Sequence, residues 1–195
     1  MGTRGFVGFV IDGVEKISYN QYDSYPAGLG SEVLEWCARG VDEQVVAAVR
    51  ALRVVDGKLA PTDAEIEKLI AYANLNVSER SLTDWYALLR ETQGDLSRIL
   101  EAGVLVDASD FALDSLFCEW GYLVNVDDGT LEAYKGFQTV PHARGRFAGR
   151  VHPSPNSGLS AAYQPVALLN AWDLDALPDV GTFVVRLDPD DDDDQ

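Results

Sequence analysis

The first apolar stretch of the chain has no polar face. Residues 5–11 read GFVGFVI, with hydrophobic side chains at odd and even positions alike, a pattern typical of a strand that is covered on both sides. Asp12-Gly13 follows and predicts a two-residue type I′ turn, because both central residues of that turn have positive φ. The pattern therefore predicts a hairpin over residues 5–19 whose first strand is central in its sheet.

Helical spacing dominates the middle of the chain. Residues 33–37 predict one helix before Gly40, and residues 41–55 carry valine and leucine at intervals of three and four, which predicts a second helix before Asp56-Gly57. Apolar stripes of the same kind continue to about residue 102. The predicted caps of these helices are Ser31, Thr62 with Glu65, and Ser81 with Asp84.

Strand character returns after the helices. Residues 116–126 alternate with a period of two, and residues 130–137 should pair back antiparallel after the turn signal at 127–129. Residues 138–163 have the composition of a long loop. The remaining predicted elements are a buried strand at 166–172, a helical turn at 173–177 and a last strand at 182–187.

These elements together predict one α+β domain over residues 1–187. Its mixed sheet would contain the two hairpins and the later strands, with the helices of residues 31–102 packed against it. A layered αββα sandwich is one form that this order of elements allows.

The composition predicts a soluble cytoplasmic protein. No apolar run approaches the ~18 residues of a membrane span, and the N-terminus lacks the pattern of a secretory signal. Cys37 and Cys118 are the two cysteines, and we expect both to be free thiols in a reducing compartment. The glycines near the N-terminus precede a strand instead of following one, and the two histidines form no metal-spaced cluster, so we predict neither cofactor nor metal.

The charge is large and unevenly distributed. The chain carries a formal charge of −17, of which Asp188 and residues 190–194 supply six negative charges. We expect residues 188–195 to form a disordered acidic tail. An acidic body repels nucleic acid and anionic membrane, which predicts no direct contact with either, and it attracts basic protein partners.

One segment reverses this charge. Between Glu132 and Asp173 there is no acidic residue, while Lys135 and three arginines contribute four positive charges. This loop could accept an anionic ligand, a partner's carboxylates or the acidic tail through charge-assisted hydrogen bonds, or it could be an ordinary solvated loop. The candidate binding residues of the loop are His142, Arg144, Arg146, Arg150 and His152.

A second candidate region follows the first hairpin. Tyr22, Asp23 and Tyr25 lie in a loop between a central strand pair and a helix start, where binding residues are often found. The alternative is that these residues form a rigid, half-buried corner without a ligand.

Thr3 is the only candidate nucleophile. N-terminal nucleophile enzymes begin with Thr, Ser or Cys on a strand and use the free amine as base, and Thr3 opens the first strand. Removal of Met1 would expose Gly2 and leave Thr3 acylated, which favours an ordinary strand start over catalysis.

Three stretches carry a family resemblance: TRGFVGFVIDGVEKISYNQYDSYPAGLG, LFCEWGYLVNVDDGTLEAYKGF and YQPVALLNAWDLDALP. Together they resemble a group of uncharacterised proteins of actinobacteria and their phages. The resemblance implies a shared fold and a mobile-element setting, and it brings no activity or catalytic residue.

The sequence thus favours a non-enzymatic intracellular interaction protein of phage or mobile-element type. Its acidic surface would bind a basic protein partner, in one variant by mimicking nucleic acid. The alternative is an amide-bond hydrolase, or a degenerate relative of one, centred on Thr3 and the corner at 22–25.

Overall fold

A five-stranded mixed sheet forms the centre of the protein. The computed structural model describes residues 2–154, 158 and 160–189, so the predicted acidic tail lies outside the described residues from residue 190 onward. The strands of this sheet are β1 (Gly5–Ile11), β2 (Val14–Asn20), β5 (Trp120–Asn125), β6 (Thr130–Lys135) and β7 (Ala167–Asp173). Their order is β2-β1-β5-β6-β7, with β1 and β5 parallel and the other neighbours antiparallel. The predicted α+β class and both predicted hairpins are confirmed.

The first hairpin has the predicted turn. Asp12 and Gly13 have φ values of 52° and 71°, as a type I′ turn requires. Every residue of β1 is buried, because the strand lies between β2 and β5 and both sheet faces are covered. The carboxylate of Asp127, from the β5–β6 turn, accepts hydrogen bonds from the backbone N–H groups of Asp12 and Gly13, both at 2.8 Å.

The described part of the chain has six helices, and four of them cover one face of this sheet. The six helices are α1 (Ser31–Ala38), α2 (Glu43–Ala51), α3 (Asp63–Leu69), α4 (Trp85–Leu88), α5 (Leu96–Ala102) and α6 (Val180–Leu187). Apolar residues of α1, α2, α5 and α6 join the odd-numbered side chains of β1 in one core. A smaller core around α3 and α4 includes Trp85 and Leu88.

Loops cover the opposite face. Phe6 and Val10 of β1 pack there with Ala112 and Phe147, from the helical turn Ser109–Leu113 and the loop after β6. The αββα form is therefore wrong for the described part of the chain, because a second large sheet would have to occupy this face. The long loop instead supplies its own buried aromatic side chain.

The prediction that the middle of the chain is entirely helical is wrong, because a second, two-stranded sheet lies there. The helix predicted for residues 41–55 ends at Ala51, and β3 (Arg53–Val55) pairs in parallel with β4 (Val104–Val106). The periodicity of residues 41–55 could not show this, because the hydrogen-bonding partner of β3 is about fifty residues away.

Two predicted helix caps have other roles. Ser31 does not cap α1; its hydroxyl donates to the backbone oxygen of Pro26 at 2.9 Å, within a helical turn that precedes the helix. The capping box of Thr62 and Glu65 is confirmed. Asp84, without Ser81, caps α4 by accepting from the N–H of Tyr86.

The last predicted strand is a helix. Asp179 accepts a hydrogen bond from the N–H of Thr182 at 2.9 Å and caps α6. Phe183 and Leu187, four residues apart, are both buried on the sheet side of α6. Its β-branched residues favour a strand. The Asp179 cap and the packing of Phe183 and Leu187 stabilise the helix instead.

Two further expectations concern the thiols and the membrane. Cys37 and Cys118 are free and buried, as predicted, and burial raises the pKa of Cys37 to about 12, which leaves its thiol protonated and inert near neutral pH. Within residues 2–154, 158 and 160–189, no helix is long and apolar enough to cross a membrane.

Candidate functional site

The corner after β2 folds back onto the N-terminus. The N–H of Ser24 donates to the backbone oxygen of Thr3 at 3.1 Å, and the hydroxyl of Tyr122 donates to the backbone oxygen of Ser24 at 3.1 Å. Asp23 has a φ of 54°, which allows the chain to turn back. Thr3 lines none of the five clefts described below.

The three corner side chains are not gathered around one cavity. Tyr22 is 54% exposed and lines a shallow cleft with Asn74 and Arg90. Asp23 and Tyr25 line none of the five clefts.

Two of the loop arginines are paired with carboxylates of the sheet. Arg146 makes a bidentate pair with Glu132 of β6, at 3.0 and 2.6 Å, and Arg150 makes one with Glu15 of β2, at 2.7 Å for both bonds. Burial opposes the charge of Glu132, but hydrogen bonds from Arg146, Tyr134 and Asn125 outweigh it and lower the pKa of this carboxyl. Glu15 and Glu132 therefore fasten the loop to the sheet.

The other loop candidates are held by neutral groups. Arg144 donates to the side-chain oxygen of Gln138 at 3.0 Å. His142 bonds the backbone oxygen of Pro165 through Nε2 and accepts from the N–H of Arg144 at Nδ1. His152 accepts from the N–H of Ser154 and lines a cleft of about 260 Å³ with Arg150 and Tyr163.

A larger concentration of aromatic and acidic side chains lies elsewhere. Tyr19 of β2, Trp85 and Tyr86 of α4, and Asp84 and Asp107 line a cleft of about 260 Å³, which we call the aromatic cleft. The tyrosine rings have centroids 6.5 Å apart. Such a cleft combines apolar walls with a few polar groups, which is the usual composition of a binding pocket.

The small parallel sheet positions this cleft. Asp107 directly follows β4, and its backbone N–H donates to the backbone oxygen of Val55 at the end of β3. Ala108 then donates to the backbone oxygen of Ile17 and brings the chain to the edge of β2. Ligands commonly bind at the carboxyl ends of parallel strands. The sequence did not indicate this location, because neither β3 nor β4 was predicted.

The carboxylates of the cleft are also helix and turn caps. Oδ1 of Asp84 accepts from Tyr86, and its Oδ2 is buried without a hydrogen-bond partner among the described residues. Asp107 is exposed and accepts from the N–H of Ser109 through Oδ1. Each residue therefore has one oxygen that is not used by its cap.

Tyr19 and its surroundings are partly desolvated. Burial raises the pKa of the Tyr19 hydroxyl, although Arg4 opposes the shift, so the phenol is neutral near pH 7. The guanidinium of Arg90 lies 5.6 Å from the ring centroids of both Tyr86 and Tyr22, and it connects the aromatic cleft to the corner.

Two neighbouring clefts share lining residues with the aromatic cleft. One shares Gly57 and Asp84 with it and includes Glu79. The other shares Gln93 and includes Tyr22. We call these three adjoining clefts together the aromatic trough.

A separate groove of about 430 Å³ lies between α1 and the start of α5. Three exposed carboxylates, Glu32, Glu35 and Asp95, surround the half-buried ring of Trp36. The groove is more polar than the aromatic cleft and offers less apolar wall to a bound group.

Neither a metal-binding cluster nor a known relative bears on the role of the described clefts. Within the described part of the chain, no group of three His, Cys, Asp or Glu side chains is placed to hold a metal ion. Comparisons with protein-family models, with curated proteins and with solved structures found no match.

Proposed function

We propose that the protein binds a basic segment of another protein in the aromatic trough. The observation that carries the proposal is the aromatic cleft, where Tyr19 and Tyr86 form a wall beside Asp84 and Asp107. Aromatic faces and carboxylates are the two groups that recognise lysine and arginine side chains.

The net charge supports the same partner class. A chain with a formal charge of −17 attracts basic proteins at long range and repels nucleic acid. The aromatic rings and carboxylates of the trough then supply short-range contacts, which long-range electrostatic attraction alone does not provide. The partner segment we propose is an extended peptide, because each outer cleft shares lining residues with the aromatic cleft and one peptide could contact all three.

The hydrolase alternative has less support. An N-terminal nucleophile needs a substrate pocket at its hydroxyl, and none of the five clefts opens at Thr3.

Selection from a displayed library of random twelve-residue peptides tests the proposal. We expect enriched peptides to contain lysine or arginine next to apolar residues and to bind less tightly as salt rises. Asp84→Asn and Asp107→Asn are suitable variants, because asparagine keeps the capping oxygen and removes the charge. Each should weaken binding by up to about fivefold at low salt.

Glu35→Gln is the matched control, because it removes one carboxylate from the groove beside α1. It should leave binding unchanged. Enrichment of acidic or uncharged peptides would contradict the proposal, and an equal loss in Glu35→Gln would move the site to the groove.

A further inference from the structure

Arg90 is held by two tyrosine rings where two clefts of the aromatic trough adjoin. Its guanidinium lies 5.6 Å from the ring centroids of both Tyr22 and Tyr86, a distance at which a cation and an aromatic face attract each other. Tyr86 lines the aromatic cleft. Tyr22 and Arg90 line the neighbouring cleft of about 330 Å³ with Asn74 and Gln93, and we call it the Arg90 cleft. The rings position the guanidinium in advance, which lowers the entropy lost when an anion binds to it.

The charge of Arg90 is not neutralised within the fold. Among the described residues, no carboxylate lies within 4.0 Å of its guanidinium. Glu91 lines the same cleft, but its carboxylate accepts from Nδ2 of Asn74 at 2.9 Å and lies 3.7 Å from Arg98. The half-buried Arg90 can therefore pair with an anion from outside the chain.

Gln93 adds a second donor beside this charge. Its side-chain oxygen Oε1 accepts a hydrogen bond from Nη1 of Arg90. Because that oxygen is engaged, the Nε2 group of the same amide is left as a donor, and Gln93 lines both the Arg90 cleft and the aromatic cleft. A guanidinium with an amide donor next to it suits a carboxylate, whose two oxygens can accept from both groups.

The spacing between this cation and the acidic end of the trough is set by a helical segment. Asp84 caps α4, and Arg90 comes six positions later, at the start of the helical turn Arg90–Thr92. Six residues of helix rise about 9 Å. An extended peptide covers that distance with about three residues.

We infer that the trough binds the carboxyl-terminal end of its partner, with the terminal carboxylate at Arg90 and a lysine or arginine about three residues earlier at Asp84. The inference rests on the proposed function, to which it adds the direction and the register of the peptide. A terminal carboxylate belongs to every chain end, so a segment of basic and apolar residues provides this anion without an acidic side chain. The segment thus keeps the basic character that a formal charge of −17 attracts.

A library of random twelve-residue peptides at the free C-terminus of a carrier protein tests this inference. We expect enriched peptides to carry lysine or arginine about three residues before the last residue. Synthetic copies of these peptides with a free carboxylate should bind at least about fivefold more tightly than the same peptides with a C-terminal amide. This comparison changes only the peptide, so it does not depend on how a protein variant folds.

Three variants assign the effect to Arg90. Arg90→Gln should give the free acid and the amide equal affinity, because it removes the guanidinium. Arg90→Lys keeps the charge without the planar fork and should retain part of the difference. Arg39→Gln is the matched control, because it removes an exposed arginine that lines the groove beside α1, and it should retain the whole difference.

Failure of this inference is distinguishable from failure of the proposed function. Basic peptides that bind equally as free acids and as amides would overturn the inference and leave the proposed function in place. The same holds for basic residues spread evenly over the twelve positions, or for an undiminished difference in Arg90→Gln. Enrichment of acidic or uncharged peptides alone would overturn both, because the trough would then not select basic segments.

Discussion

The ion pair between Glu132 and Arg146 offers the sharpest test of how the long loop is held. Glu132 is 6% exposed and accepts hydrogen bonds from Arg146, Tyr134 and Asn125. Glu132→Gln keeps the shape of the side chain and removes its charge, so Arg146 loses its closest carboxylate while it stays largely buried.

The expected cost follows from this burial. Breaking a buried ion pair by changing one partner costs about 3–5 kcal/mol. The lower end applies, because the Arg146 side chain is 20% exposed and a second carboxylate, Glu15, lies 3.8 Å away. We therefore expect Glu132→Gln to lower the free energy of unfolding by about 3 kcal/mol.

Equilibrium unfolding in urea measures this change. Arg146→Met and the double variant complete a mutant cycle, in which we expect a coupling free energy of roughly 2 kcal/mol. Arg98→Met removes an exposed arginine and should change the free energy of unfolding by less than about 0.5 kcal/mol. A coupling free energy as small as the Arg98→Met effect would refute the reasoning.

The pH dependence has a defined sign. The folded pKa of Glu132 lies below its ordinary value of 4.5, so its charged form is stabilised by folding. This contribution is complete above about pH 4.5 and is lost as the pH falls through the folded pKa. The stability difference between wild type and Glu132→Gln should therefore shrink below pH 4.5, and a difference that grows there would contradict the assignment.

Three further substitutions test particular elements. Gly13→Val should lower the free energy of unfolding by about 1–3 kcal/mol, because a β-branched residue is forced to positive φ; wild-type melting would argue against strain in the turn. Lys16→Met should cost about 1–3 kcal/mol in a urea titration, because the Lys16 ammonium donates to three backbone oxygens at the end of α2; the exposed Lys68→Met is its control. Asp179→Ala should lower the melting temperature and Asp179→Asn should not, because asparagine keeps the cap of α6; equal effects would show that the cap does not stabilise the helix.

Local signals determined part of this fold from the sequence alone. The apolar run before Asp12-Gly13 predicted a central hairpin strand, and the pattern of Thr62 and Glu65 predicted a helix start. The Asp12-Gly13 turn and the capping box depend on residues within a few positions of one another, so local chemistry favours both before distant segments pack.

Contacts between distant segments determined the rest. β3 and β4 become strands only by pairing with each other. Residues 182–187 become helical because the packing of Phe183 and Leu187 on a sheet made by earlier segments adds to the Asp179 cap. The sequence showed that the cationic loop has no acids of its own, but only the folded chain places Glu15 and Glu132 against two of its arginines.

The position of the aromatic cleft was likewise determined by contacts between distant segments. Tyr19, Asp84 and Asp107 are far apart in the sequence and carry no motif, so spacing could not indicate a site. They meet because β4 brings the chain to the edge of β2. A pattern along one chain records which residues are apolar, charged or turn-forming, whereas the position of a cleft depends on pairings whose energy comes from residues on both sides of the fold.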